Sequence, residues 1–304
     1  MINRLPRKEI RKRNPSGHSG KISDYRLEIP GFPILRKIFV LLCIGCAHVT
    51  LHAQAFDASS LVKASLLASS RDLTKPISIG VKLNIAKGWH LYWKNPGDSG
   101  LPVDVQWDLP RGFTMSETQF PVPKKFEAKG SVTYGYENEV MLLCTLIASE
   151  NYSGSEVVIT ANVDFLACKE SCKRGVKKIS LQVGKLTAQE LRSNRAIIKT
   201  AERKLPSLME TNSSRLSGLL RRNEQTSQIE FSFATNAPTP TTDFFPEATD
   251  DYLRDHSKIR STGGTITIPM QFVYDSVRSR TMRGLLLFGK KVYQVSVAME
   301  GDGR

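Results

Sequence analysis

The chain has 304 residues, 40% hydrophobic and 24% charged, with 21 glycines and 15 prolines. This composition suits one or two packed globular domains and excludes a collagen-like, low-complexity or wholly disordered chain. The formal charge of +14 divides evenly: residues 1–55 carry 10 Lys/Arg against 3 Asp/Glu, and the other 249 residues carry a surplus of only seven. A mixed-sign, mildly basic surface of that kind reads as solvated faces rather than a nucleic-acid stripe, so no nucleic-acid partner is expected.

The first segment reads as an address. In "LRKIFVLLCIGCAHVTLHAQAF" two cations, Arg36 and Lys37, precede an apolar run, and Ala53-Gln54-Ala55 closes it. This is the charged, apolar and small-x-small order of a secretory signal, with cleavage expected after Ala55. The run is shorter than the ~20 residues that span a bilayer. The membrane is thus expected to be met only through this segment, if it stays uncleaved. Residues 1–55 form the basic extension and signal, and the working chain is expected in the periplasm, an oxidising compartment. Removal of the signal leaves three of five cysteines: Cys144, Cys168 and Cys172.

From Pro76 onward the text is strand-like. "ISIGVKLNI" places Ile77, Ile79, Val81, Leu83 and Ile85 at period two, the pattern of a half-buried strand. Residues 103–107, 140–147, 156–165 and 177–183 read as further strands, separated by "NPGDSGLP", "LPRG" and "NYSGS". Short strands at this spacing predict an antiparallel sandwich over residues 56–184. Cys144 falls in "VMLLCTLIA", where a buried, inert thiol is expected.

Thr187 followed by Glu190 is a capping box, and Leu205-Pro206 stops the pattern it opens. A connecting helix is therefore predicted within 185–208, with Leu191, Ile198 and Ala201 on its apolar side. Residues 209–304 return to strand composition at 229–234, 264–274, 283–288 and 291–299. They predict a second, smaller β-domain with one histidine, His256, no cysteine and no recognisable chemical motif. The fold class expected is all-β: an antiparallel immunoglobulin-like sandwich, a connecting helix and a second β-domain.

The chemistry gathers in "FLACKESCKRG", where Cys168 and Cys172 stand three residues apart. Extended, they would lie roughly 13 Å from each other, and a disulfide needs Cα atoms within about 7 Å. A bond between them requires a turn through "KES". Three readings stay open. A zinc site wants about four ligands, and beyond Cys144 only His90 and His256 are obvious additions. A structural staple over three residues restricts the unfolded chain little. A redox pair suits a tight loop flanked by Lys169, Lys173 and Arg174, since nearby cations favour the thiolate that attacks disulfides. Thiolates are also soft ligands for copper, but no Met- or His-rich tract accompanies them.

A second stretch, "KGWHLYWKNPGDSGLP", packs Trp89, His90, Tyr92 and Trp93 into five positions. In a strand, His90 and Tyr92 face one way while Trp89, Leu91 and Trp93 face the other. Sandwich core is one reading. An exposed aromatic binding face of Trp89, Tyr92 and Trp93, with the cysteines as a staple, is the alternative.

Together "GWHLYWKNPGDSGLP", "FPVPKKFEAKGSVTYGYENEV" and "VDFLACKESC" resemble the periplasmic N-terminal domain of the DsbD thiol:disulfide interchange family, in its ScsB-like branch. The resemblance covers about residues 57–184 and continues through "DFFPEATDDYLRDHSKI" into the second β-domain. It implies an immunoglobulin-like sandwich whose cysteine pair, Cys168 and Cys172, passes electrons to thioredoxin-fold periplasmic proteins without a cofactor. It places His90 and Tyr92 beside the pair, and Phe126 near the cap that shields it. The spacing of three residues is shorter than in the family's best-studied branch. The family's membrane and thioredoxin domains have no counterpart in these residues, so a separate membrane electron donor is expected. Lys173 and Arg174 favour Cys172 as the attacking residue.

Overall fold

The computed structural model describes residues 58–208, 217–222, 229–234, 243–249, 252–273 and 281–300. The signal segment, its cleavage point at Ala55, and Cys43 and Cys46 lie outside the described residues. Among the described residues no helix is long and apolar enough to cross a membrane.

Ten strands build the first part: β1 (Val62–Ala68), β2 (Ile77–Ile85), β3 (His90–Gly97), β4 (Asp104–Asp108), β5 (Phe113–Met115), β6 (Lys124–Ala128), β7 (Ser131–Glu137), β8 (Glu139–Ala148), β9 (Val158–Cys168) and β10 (Cys172–Gln182). They form two antiparallel sheets. One runs β1-β2-β8-β5 and the other β10-β9-β3-β7-β6, with β4 along part of β9. The period-two residues of β2 all turn inward, as their spacing predicts. Val81 and Leu83 pack in one buried cluster with Leu142 of β8 and, from the facing sheet, Leu91, Trp93, Tyr134, Val163 and Phe165. Each such side chain contributes about 1.5–3 kcal/mol by leaving water, which makes this cluster the main support of the sandwich.

The helix α1 (Ala188–Glu202) follows, and its capping box forms as expected. Thr187 Oγ1 accepts from the Glu190 amide at 3.2 Å, while the Thr187 amide donates to the Glu190 carboxylate at 2.8 Å. Leu191, Ile198 and Ala201 are its buried residues. Ile198 and Ala201 meet Leu67, Met141 and Leu143, so the helix lies on the outer face of the four-stranded sheet.

The remaining strands are β11 (Ser207–Leu208), β12 (Ser217–Arg222), β13 (Ile229–Ala234), β14 (Asp243–Pro246), β15 (Tyr252–Arg254), β16 (Arg260–Thr262), β17 (Thr265–Phe272), β18 (Thr281–Phe288) and β19 (Lys291–Glu300). They form a third sheet in the order β14-β18-β19-β12-β13-β17-β15, mostly antiparallel, with β12 and β11 parallel to β19. Phe245 and Leu285 from this sheet are buried in the same cluster as Trp93 and Tyr134. The Phe245 and Tyr134 rings stand 4.6 Å apart. Around them Lys94 pairs with Glu247 at 2.5 Å, Asn95 Nδ2 donates to the Pro246 carbonyl, and Lys125 pairs with Asp243 at 3.2 Å.

Candidate redox site

The β9–β10 hairpin carries the two cysteines at its tip. Antiparallel pairing runs unbroken from Gln182 opposite Val158 to Cys172 opposite Cys168. The turn Lys169–Ser171 closes with the Lys169 amide donating to the Ser171 carbonyl at 3.2 Å. The chain therefore turns through "KES" as a bond requires, and Cys168 and Cys172 form a disulfide with Cα atoms 4.1 Å apart. The two ends differ in access: Cys168 is 3% exposed, whereas Cys172 stands open to solvent.

Strand β3 lies beside this tip. His90 sits opposite Cys168 on one side and opposite Glu137 on the other. Tyr92, two residues along the same face, brings its hydroxyl to 3.9 Å from Cys172 Sγ. While the sulfurs are bonded only the phenol carries a hydrogen there, so Tyr92 is the donor. Burial raises the Tyr92 pKa and keeps that hydrogen in place. The loop after β3 holds the ring from the other side. Gly100 adopts φ +105°, and a Cβ there would stand 2.4 Å from the Tyr92 ring, so only glycine fits.

Phe126 enters from β6. The hairpin β6–β7 turns at Lys129 and Gly130, both in the left-handed region (φ 50° and 78°), as a two-residue hairpin turn requires. It lays the Phe126 ring on His90, with centroids 5.1 Å apart and planes 23° apart. His90 in turn meets Tyr92 edge-on at 5.1 Å. Phe126, His90, Tyr92 and Cys172 thus form a continuous series of contacts. Burial lowers the His90 pKa, against the opposing pull of Glu137, so the imidazole is uncharged at neutral pH.

The Arg174 guanidinium is engaged by Asp164, with Nε 3.0 Å from Oδ1 and Nη2 on Oδ2. The Lys173 ammonium lies 5.7 Å from the Trp89 ring centroid. One expectation needs correction: the exposed aromatic face fails, because Tyr92 and Trp93 are 3% and 1% exposed. Asp164 and Glu137 were not singled out from sequence, since each meets its partner only across a strand pairing. Cys144 is a buried free thiol whose pKa burial raises, as its apolar setting predicts.

Residues 63–183 match the family model described as "Thiol:disulfide interchange protein DsbD, N-terminal". Residues 63–183 form a DsbD N-terminal-like domain. Among solved structures the chain is similar to the N-terminal periplasmic domain of ScsB from Proteus mirabilis. That likeness has a TM-score of 0.58 at 16% identity, covering 78% of this chain and 91% of that one. It shows a shared fold that reaches beyond the DsbD N-terminal-like domain into the third sheet. The major pilin subunit BcpA of Bacillus cereus matches at a TM-score of 0.24 and 11% identity, covering 79% and 68%, too weakly to carry an argument. None of the curated proteins matches.

Proposed function

We propose that this protein is an exported thiol–disulfide interchange protein that passes electrons through the Cys168/Cys172 pair to thioredoxin-fold partners in the periplasm. The observation that carries the reading is the hairpin tip itself. It joins two cysteines directly across a strand pair, leaves Cys172 open, buries Cys168 within reach, and surrounds them with His90, Tyr92 and Phe126.

The step balances without a cofactor. In the reduced protein the Cys172 thiolate attacks one sulfur of a partner disulfide, and the partner's other sulfur leaves as a thiolate. Cys168, deprotonated, then attacks Cys172 Sγ, releasing the partner's second thiolate and closing the Cys168–Cys172 bridge. The partner gains two electrons and two protons, and a separate membrane donor returns two electrons to the pair. Phe126, His90 and Tyr92 shield the sulfurs between encounters. Export through the segment ending at Ala55 supplies the oxidising setting in which such traffic is needed.

Single-cysteine variants test the proposal. When incubated with oxidised thioredoxin as a probe, Cys168→Ser should accumulate a mixed disulfide through Cys172, resolved on a non-reducing gel. Cys172→Ser should form several-fold less. Absence of a thiol-sensitive adduct with both variants would contradict exchange at this pair.

A further inference from the structure

A cleft of about 1100 Å³ opens where the β7 end of the sandwich, the end of α1 and the β18–β19 turn meet. Its floor is partly apolar, including Tyr136, Val140, Met141 and Ile197. Its charge is one-sided. The carboxylates Glu137 and Glu139 are already engaged by Lys124 and by Lys82, the latter pair at 2.8 Å. Arg203 and Lys204 from the helix end, and Lys290 and Lys291 from the turn, have no carboxylate partner among the described residues. Four cations from two separate elements, without a carboxylate partner among the described residues, therefore line a partly apolar floor. The volume lies at the upper end of the roughly 300–1,000 Å³ of small-molecule sites.

The cleft adjoins the disulfide. Glu137 lines it, pairs across the ladder with His90, and His90 pairs with Cys168. Cys172 lies one strand beyond Cys168, so with strands about 4.8 Å apart Glu137 stands roughly 14 Å from Cys172, a span that about four extended residues cover.

We infer that this cleft docks an acidic, partly apolar segment of the redox partner, lying about four residues from the partner's reacting cysteine. The inference rests on the exchange reading above. The four cations supply the charge complement, the floor receives alternate apolar side chains, and docking delivers the partner's disulfide to Cys172. Complementary charge of this kind raises encounter rates and falls away with salt.

The test uses two synthetic peptides, each with one cysteine carried as a mixed disulfide with thionitrobenzoate. Four serines follow the cysteine, then alternating Glu and Leu in one peptide and alternating Gln and Leu in the other. The reduced protein attacks the peptide disulfide, closes its own Cys168–Cys172 bond, and releases the peptide thiol and coloured thionitrobenzoate. Because a few exposed charge pairs multiply, release from the Glu peptide should be about tenfold faster than from the Gln peptide at low salt. In Lys204→Glu/Lys291→Glu that ratio should fall to about one. In Lys63→Glu/Arg192→Glu, an equal charge change outside the cleft, it should hold.

Equal rates in the unmodified protein, or a ratio that survives the cleft substitutions, would overturn the docking inference while leaving exchange standing. If neither peptide is reduced, the exchange reading fails and fluorescence anisotropy of the labelled Glu peptide decides the cleft alone. Saturable binding lost in the cleft variant upholds the surface, and absence of binding overturns it.

Discussion

At the scale of single residues, the site depends on side chains that do no chemistry of their own. Phe126 stacks on His90, which meets Tyr92, which meets Cys172. Replacing Phe126 with Ala removes the outer layer of this series from a half-exposed position. The reduced pair in Phe126→Ala should then react several-fold faster with iodoacetamide, with little change in thermal stability; an unchanged alkylation rate would deny Phe126 a shielding role. The cysteine pair was legible in the sequence because the CxxxC spacing is a local pattern, whereas the placing of His90, Tyr92 and Phe126 beside it came from the family resemblance. What the neighbouring cations do was not legible. Whether Arg174 reaches a sulfur or Asp164, and whether Lys173 reaches a thiolate or Trp89, is decided by strand register, which single-strand periodicity does not contain.

At the scale of elements, β2 declared itself by its alternation, whereas β1 and the polar start of β10 did not. Strand β2 has the bounds its alternation predicts. By contrast β10 was visible only from Lys177, whereas pairing with β9 extends it back to Cys172 through Lys173, Arg174 and Gly175. The ladder's hydrogen bonds, rather than side-chain hydrophobicity, carry the strand to the cysteines. Strand β6 was visible only as a motif, and so was β7, although its Val132, Tyr134 and Tyr136 are buried.

The short turn His256–Lys258 makes a sharper element-scale prediction. His256 is 4% exposed, its Nδ1 lies 3.2 Å from the Tyr134 hydroxyl, and its amide donates to Asp98 at 3.0 Å. Burial, aided by Arg254 and Lys125 and opposed by Asp98 and Asp255, lowers its pKa to about 4. The unfolded chain takes up this proton near pH 6.5, well before the folded one does. Stability from this site is therefore whole above about pH 6.5 and declines toward pH 4, by about 3 kcal/mol in all. Denaturant melts of the wild type and His256→Gln between pH 7 and pH 4 check this. The wild-type curve should fall more steeply, and parallel curves would show that His256 does not carry the slope.

At the scale of the whole molecule, the third sheet and the sandwich meet through a buried seam, with Phe245 and Leu285 in the cluster that holds Trp93 and Tyr134. The same seam reaches the β6–β7 hairpin, since Lys125 beside Phe126 pairs with Asp243. A strand-rich second part was legible from composition. Its burial against the sandwich was not, because Phe244 and Phe245 read alike in a strand, and only the folded seam shows that Phe245 packs on Tyr134. The charge surplus likewise gained meaning only in place: four cations scattered in sequence line one cleft beside the redox tip.

The central claim is that the Cys168–Cys172 bridge is a working couple rather than a staple. Its reduction potential tests this most directly, measured by equilibrating the protein with glutathione buffers and trapping thiols, with Cys144→Ser removing the third cysteine. The account predicts a value within the range of exchange proteins, about −120 to −270 mV. A value below about −300 mV, where structural disulfides lie, would contradict it.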